Sequence, residues 1–238
     1  MNNSFKESCK LIWISIKEAF IDNKWLLLIS IMLFLISTIL AMVFASNLEP
    51  IVGPFIKELK KQILAGQIKI TYDSIFLNNF SVGLRMYFAG ILFGILTALM
   101  MIVNGMIIGY FLGKGPFLIV FLYIIPHGIF EIPALILSAT AGFTLFKFVY
   151  KFIKNIYSPD EHYINHHYVN TKGFDYNKND KLSFKTRVSI SFSQHNKILV
   201  QSLIILIISI ILLMIAAYIE VYITSALAKH LIAVYHLR

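Results

Sequence analysis

The amino-acid sequence predicts an all-α protein: a polytopic helical membrane bundle with about five membrane segments, including a broken or re-entrant hairpin, and an N-terminal amphipathic helix. Three observations predict this class. Hydrophobic residues make up 58% of the 238 residues, and charged residues only 14%, against roughly 25% in soluble domains. The mean hydropathy is +0.76. Several apolar runs are also too long for a small soluble core to bury.

The net charge of +9 and the single cysteine limit the functional classes. A basic chain can bind nucleic acid, but here the basic residues concentrate beside the apolar runs, which is typical of membrane topology and of contact with anionic lipid. We therefore expect the lipid bilayer, and no nucleic acid, as a partner. Cys9 alone allows neither an intrachain disulfide nor a thiolate-rich metal site.

Residues 1–24 are expected to form an amphipathic helix, because apolar side chains recur at helical spacing from Phe5 to Phe20. A basic amphipathic helix beside a span usually lies in the membrane interface. Packing on the cytoplasmic side of the protein itself is an equal alternative. Residues 25–238 are expected to form the membrane domain, with spans at about 25–46, 84–112, 117–126, 129–149 and 198–219.

The span at 84–112 carries a stripe of small residues at intervals of three or four. Its glycines include Gly90, Gly94, Gly105 and Gly109. Small residues let helix backbones approach each other closely in lipid, so the stripe predicts a helix-packing face. Asn104 lies on the same side and is expected to link helices by hydrogen bonding.

The apolar block 117–149 is too long for one ordinary span and short for two. Pro126 and Gly128 interrupt it, and Pro133 follows. Because proline removes a helix hydrogen bond, we expect a break there, with segments 117–126 and 129–149 forming a hairpin.

Residues 150–197 form a polar loop. Counted over 147–197, it has nine lysines and arginines against four acids, so the positive-inside rule places it in the cytoplasm. The corresponding topology has residues 1–24 and 113–116 inside, residues 47–84 outside, a cytoplasmic N-terminus and a C-terminus outside the cell membrane.

Glu131 and Glu220 are the two acids within or bordering apolar spans. A charge at mid-bilayer costs about 2.5–3.5 kcal/mol on insertion scales, so both are expected to face protein or water. His127 lies four residues before Glu131, on the same helical face. We therefore predict a buried polar centre of His127, Glu131, Glu220 and Asn104. It is either a structural contact or a site for protons, ions or a small solute.

A metal site is a further alternative. His127, Glu131 and Glu220 supply three ligands if the last span packs against the hairpin, but the zinc-protease motif of two histidines on one helical turn is absent. In the loop, the spacing of His162, His166 and His167 also suits a metal, although solvated histidines are far commoner. We expect no metal, no cofactor and no enzymatic activity, since phosphate-binding loops and nucleophile elbows are absent as well.

Four segments together resemble the stage II sporulation protein M family of integral membrane proteins: "NNFSVGL", "FAGILFGILTALMMIVNGMIIG", "PHGIFEIPALILSATAG" and "AAYIEVYIT". The shared features are Asn79, the Gly90, Gly94 and Thr97 run, the Asn104–Gly105 pair, the Pro126-His127-Gly128 block with Glu131, Gly142 and Glu220. The resemblance covers roughly residues 75–225.

The resemblance implies a membrane component that recruits peptidoglycan-degrading partners during engulfment of the forespore and is not itself a hydrolase. Relatives also occur in organisms that do not sporulate, including archaea without murein. The resulting hypothesis is a non-enzymatic scaffold that organises cell-envelope remodelling partners, with self-association left open. The alternatives are a proton- or solute-translocating protein that uses the His/Glu centre, and an intramembrane metal-dependent hydrolase.

Overall fold

A computed structural model of the chain describes residues 3–65, 71–115, 117–158, 183–224 and 226. These residues contain seven α-helices and no strand, which confirms the all-α class. The helices are α1 (Asn3–Asp22), α2 (Lys24–Val43), α3 (Ala45–Leu64), α4 (Tyr72–Ala89), α5 (Ile95–Lys114), α6 (Phe117–Tyr157) and α7 (Phe184–Ile219). A π-helical turn, Glu220–Thr224, continues α7.

Four helical stretches are long and apolar enough to cross a membrane. They are Lys24–Val43, Ile95–Lys114, Ile125–Tyr157 and Phe184–Thr224, with mean hydropathies of 2.8, 2.1, 1.7 and 3.1. This supports a multi-pass membrane protein. Helix α4 is not among them, since it carries Asp73, Arg85 and two asparagines. The predicted count of five membrane segments therefore stays a prediction.

Helix α5 packs against α2 in a parallel orientation. Gly105 lies beside Phe34 and Ser37, and further along both helices Gly109 lies beside Thr38. Because α2 and α5 both start at the same end of the bundle, the chain returns to that end between them through α4. We call the end that contains Asp22 the N-terminal end, and the other the opposite end.

The long helices α6 and α7 pack antiparallel. Contacts between them run from His127 with Thr224 near one end, through Ala134 with Ser209, to Asn155 with Gln194 near the other. Helix α4 lies beside both, since Gly83 faces both Ser138 of α6 and Leu213 of α7. The centre of the bundle is thus formed by α4, α6 and α7, with α2 and α5 packed beside them.

The predicted location of residues 113–116 on the side of the N-terminus is wrong. Gly113 lies beside Met42 and Ala45, at the opposite end of the bundle. The prediction assigned residues 84–112 to a single crossing that starts outside. In the structure, the helix that runs from the N-terminal end to the opposite end starts only at Ile95, after α4 has returned the chain to the N-terminal end.

The predicted continuous helix over 84–112 is likewise wrong. Helix α4 ends at Ala89 and α5 begins at Ile95, with Gly94 in the left-handed region at φ 70°. Thr97 Oγ1 donates to the carbonyl of Met86 at 2.8 Å and ties the two helices together across the turn. Glycine suits both a left-handed turn and a close helix contact, so the spacing alone did not separate these uses.

The predicted hairpin break at Pro126 and Gly128 is also wrong, because α6 runs continuously from Phe117 to Tyr157 and contains Pro126 and Pro133. The extra length is not folded back. At about 1.5 Å per residue, 41 residues extend roughly 60 Å, well beyond the apolar core of a bilayer. Membrane helices tolerate proline where neighbouring groups satisfy the freed backbone carbonyl.

The predicted polar loop 150–197 is helical at both ends. Residues 150–157 belong to α6, and α7 begins at Phe184 rather than near residue 198. Ser183 caps α7, since its side chain accepts a hydrogen bond from the Thr186 N–H at 3.2 Å. Asn155 donates to Gln194 at 2.7 Å, so polar residues continue the α6–α7 contact. His162, His166 and His167 lie outside the described residues.

Helix α1 packs against α7 through its C-terminal half. Lys197 Nζ lies 2.8 Å from Glu18 Oε2, and Ala19 is fully buried. In the first half, Phe5 and Leu11 are exposed. These contacts agree with the alternative of packing on the protein itself, and the location of α1 in a membrane interface stays a prediction.

Candidate functional site

The structure brings His127, Glu131 and Glu220 together near the opposite end of the bundle. His127 and Glu131 lie one turn apart on α6, and the antiparallel packing of α7 carries Glu220 to the same level. Glu220 opens the π-helical turn that ends at Thr224. A π-turn has one more residue than an α-turn and changes the direction of the side chains, and such turns are frequent at functional sites.

The three side chains form a compact, half-buried cluster. His127 Nε2 lies 3.6 Å from Glu131 Oε2, and these side chains are 15% and 22% exposed. One nitrogen or oxygen from each of the three residues lies within 4.8 Å of the others. Thr224 Oγ1, almost fully buried, lies 3.5 Å from His127 Nδ1. We call His127, Glu131 and Glu220 the polar cluster.

The polar cluster brings two carboxylates and an imidazole close together within apolar helices. Ionised side chains at such positions are costly unless they are paired or neutralised. Protonation of the carboxylates, protonation of His127 or a bound cation each lowers this cost. The arrangement is therefore suited to bind protons or a cation.

Asn104 and the residues of the predicted helix break do not belong to the polar cluster. Asn104 donates to the carbonyl of Met100 in its own helix at 2.8 Å, so this hydrogen bond does not link helices. Pro126 adjoins His127 within α6, and Gly128 is buried there. Pro133 is exposed two residues after Glu131. Gly105, which follows Asn104, faces α2.

The glycines lie at two different contacts. A Cβ atom at Gly90 would be 2.0 Å from the carbonyl oxygen of Gly142 in α6, whereas one at Gly109 would be 2.1 Å from that of Thr38 in α2. Gly94 lies against Phe143. The turn between α4 and α5 thus sends one part of the predicted stripe to α6 and the other to α2.

A second polar network at the N-terminal end was missed from the sequence. Asn23 Nδ2 donates to Gln201 Oε1 at 3.1 Å, and Gln201 Nε2 donates to Asp22 Oδ2 at 2.7 Å. Lys147 Nζ donates to Asn23 Oδ1 at 3.0 Å. Asn23 and Gln201 are 2% and 4% exposed. The available sequence signal was that Asn23 and Gln201 lie near the ends of apolar runs, but polar side chains at such positions are usually solvated.

This network predicts a small pH dependence of stability. The hydrogen bond from Gln201, supported by the charge of Lys197, lowers the pKa of Asp22 below its usual 3.8. A lowered folded-state pKa stabilises the fold above about pH 4, and this stabilisation is lost as the pH falls through the folded-state value. We expect Asp22→Asn to lower the melting temperature slightly at pH 6, through a loss of less than about 1 kcal/mol in stability, and to have a smaller effect as the pH falls and Asp22 takes up a proton. Thermal unfolding in detergent at a series of pH values measures this, and a difference that stays constant as the pH is lowered would contradict the prediction.

A smaller contact lies at the opposite end. Tyr110 donates to Glu49 Oε2 at 2.6 Å, and Lys114 Nζ lies 3.6 Å from the same oxygen. The hydrogen bond from Tyr110 and the charge of Lys114 lower the pKa of Glu49. The ionised carboxylate thus ties the start of α3 to the end of α5.

The matches to known proteins cover the bundle and the polar cluster. The chain matches the family model described as "Stage II sporulation protein M" over residues 30–225, from α2 to just beyond the π-helical turn. An uncharacterised protein of Methanocaldococcus jannaschii is 31% identical over 211 residues, which cover 87% of this chain and 97% of that relative. No solved structure matches. The chain belongs to the stage II sporulation protein M family of membrane proteins, as the resemblance predicted.

Proposed function

We propose that this protein is a non-enzymatic membrane scaffold that organises cell-envelope remodelling partners. Membership of the stage II sporulation protein M family, with a match that covers nearly the whole bundle, is the observation that carries this proposal. A scaffold must hold its helices in a fixed arrangement so that the segments at both ends present constant surfaces to partners.

The centre of the bundle supports this role because it is tightly packed and internally hydrogen-bonded. Ser138 Oγ lies 2.7 Å from Ser209 Oγ, which also donates to the carbonyl of Ala134. Thr140 Oγ1 donates to Ser30 Oγ at 3.0 Å. These four hydroxyl residues are fully or almost fully buried and join α2, α6 and α7. Satisfied buried polar contacts favour one rigid arrangement of helices.

The orientation is part of the proposal: the N-terminal end lies in the cytoplasm. Helical segments at that end contain ten basic residues, namely Lys6, Lys10, Lys17, Lys24, Lys147, Lys151, Lys154, Lys185, Arg187 and Lys197. Those at the opposite end contain Lys57, Lys60, Lys61 and Lys114. Because lysine and arginine accumulate on the cytoplasmic side, helix α3 would face the outside.

Substitution of the polar cluster tests the scaffold proposal. We expect His127→Ala and Glu131→Gln to restore function to a strain that lacks the gene, provided that the variants accumulate normally, because a scaffold needs the fold and not the chemistry of these groups. Growth and cell shape are the measurements. Normal accumulation with full loss of function would overturn the proposal.

Photo-crosslinking from the outer surface tests the partner. A photoreactive residue at the exposed Phe55 of α3 is expected to capture a defined envelope-remodelling protein in living cells. The same residue at Ile207, which is exposed in the middle of α7 where lipid is expected, is the matched control. Failure to capture such a protein from Phe55, or equal capture from both positions, would count against the scaffold.

Translocation of protons or a small solute is the second candidate function. The convergence of His127, Glu131 and Glu220 favours it, since intramembrane ionisable groups commonly mark proton or ion pathways. The same two substitutions separate the candidates. If the protein translocates protons, His127→Ala and Glu131→Gln are expected to lose function although both variants accumulate normally. In vesicles, the purified wild-type protein would then move protons and the two variants would not.

A further inference from the structure

We propose that His127, Glu131 and Glu220 form a binding site for a divalent transition-metal ion, with Zn²⁺ as the best-fitting ion. The ion would join α6 to the end of α7. This inference goes beyond the scaffold proposal, which needs no ion. Among the residues that the structure describes, these three form a group of potential metal ligands whose ligand atoms lie close together.

The distances suit a small ion. At a metal–ligand distance of about 2.1 Å, tetrahedral ligand atoms lie roughly 3.4 Å apart. His127 Nε2 and Glu131 Oε2 are already 3.6 Å apart. The full set of ligand atoms lies within 4.8 Å. A side-chain rotation that moves the Glu220 carboxylate by about 1 Å toward the other two ligands would therefore complete a set of three tetrahedral ligands.

The ligand types select the class of metal. One imidazole nitrogen with two carboxylate oxygens suits Zn²⁺ and neighbouring transition metals. Ca²⁺ takes six to eight oxygen ligands, and Mg²⁺ prefers an octahedral oxygen shell. The imidazole of His127 therefore favours zinc over either of these ions.

The charges also favour a divalent ion. Two carboxylates and a neutral imidazole carry a formal charge of −2, so a divalent cation gives a neutral site within apolar helices. Neutrality matters there because uncompensated charge is costly away from water. A divalent ion bound between the two carboxylates also relieves the repulsion between them.

Thr224 supplies the expected support for the histidine ligand. A histidine that binds a metal usually donates its other ring N–H to an oxygen atom, which sets the tautomer and orientation of the ring. Thr224 Oγ1 lies 3.5 Å from His127 Nδ1 and is 2% exposed. With the proton on Nδ1, the lone pair of Nε2 faces Glu131, where a cation removes the repulsion between nitrogen and oxygen.

Three protein ligands leave one position of a tetrahedral metal open. Structural zinc sites usually have four protein ligands, whereas sites with three retain a water molecule or another small ligand. Because the ligands come from two helices, ion binding would hold α6 and α7 together at the opposite end. Metal availability would thereby change the stability of this end of the bundle.

Zinc binding by the full-length protein tests the site. The protein is purified in detergent without a histidine tag, and bound metal is removed with EDTA. It is then equilibrated with Zn²⁺, and its zinc content is measured by elemental mass spectrometry. We expect one zinc per chain and a rise in melting temperature on addition of zinc. Glu131→Gln and Glu220→Gln are expected to lower the affinity at least about tenfold, and Glu49→Gln is the matched control at the same end.

Two further variants keep the test decisive. Replacing His162, His166 and His167 together by asparagine separates the bundle site from the loop, and we expect zinc binding to remain. If the ligand variants fail to fold, Thr224→Val still tests the site, because loss of a supporting contact lowers metal affinity about 10–100-fold. Absence of stoichiometric zinc from the wild type, loss of zinc only with the loop histidines, or unchanged affinity in every variant that folds would overturn the proposal. None of these results affects the scaffold proposal.

Discussion

Replacement of Gly90 by alanine is expected to destabilise the protein by about 2–3 kcal/mol or to prevent its accumulation. An alanine Cβ at this position would lie 2.0 Å from the carbonyl oxygen of Gly142 and 3.0 Å from its Cα. The obstructing atoms are backbone, so relief requires α4 and α6 to move apart. That movement would also disturb the contact of Gly142 with Thr97 and the carbonyl of Met86. Thermal unfolding in detergent, followed by gel filtration of the remaining folded protein, measures the effect.

Gly53→Ala is the matched control for this prediction. Gly53 lies within α3, where an added Cβ would meet only the flexible side chain of Glu49, at 2.8 Å. Because alanine favours helix more than glycine does, we expect little change or a slight gain in stability. Equal loss of stability in the two variants would show that close backbone contact at Gly90 does not decide the packing of α4 on α6.

Asn23→Leu is expected to produce the second large effect, a loss of roughly 2–4 kcal/mol, because it leaves several buried partners unsatisfied. Asn23 donates to Gln201 and to the carbonyl of Ala19, and it accepts from Lys147. Leucine replaces none of these bonds. The lysine loses an acceptor in a half-buried place, where hydrogen bonds to charged groups contribute more than neutral ones. Melting temperature and amide exchange at the N-terminal end are the measurements.

Asn78→Leu controls for the change of side chain itself. Asn78 is an exposed helical asparagine whose side chain donates to its neighbour Asn79 at 3.3 Å. We expect its replacement to change stability by less than about 0.5 kcal/mol. If Asn23→Leu behaves like Asn78→Leu, the buried network contributes little to the association of α2, α6 and α7.

The fold class followed from the sequence because hydropathy depends on composition over long windows. The run at 25–46 predicted α2, which the structure places at Lys24–Val43. The boundaries at 84–112 and 117–149 could not be obtained in this way. Apolar length does not tell whether a helix turns at Gly94 or continues through Pro126, since both outcomes depend on which backbone groups the neighbouring helices contact.

The candidate site was predictable in part. His127 and Glu131 were expected on one helical face because they are four residues apart, and Glu220 was noted because an acid is rare beside a long apolar run. Thr224 carried no sequence signal, since threonine is common in membrane helices. Asn23, Gln201 and Lys147 come from distant parts of the chain, so only the packing of α2, α6 and α7 joins them.

The sequence by itself determined that this chain is a helical, multi-pass type of membrane protein of the stage II sporulation protein M family, because both conclusions depend on local composition and motifs. Tertiary structure alone decided that α2 and α5 run parallel, that the glycines serve two contacts and that Glu220 reaches His127 and Glu131. The physical reason is that these features arise from contacts between residues up to about a hundred positions apart, and the geometry of such contacts depends on how whole helices pack.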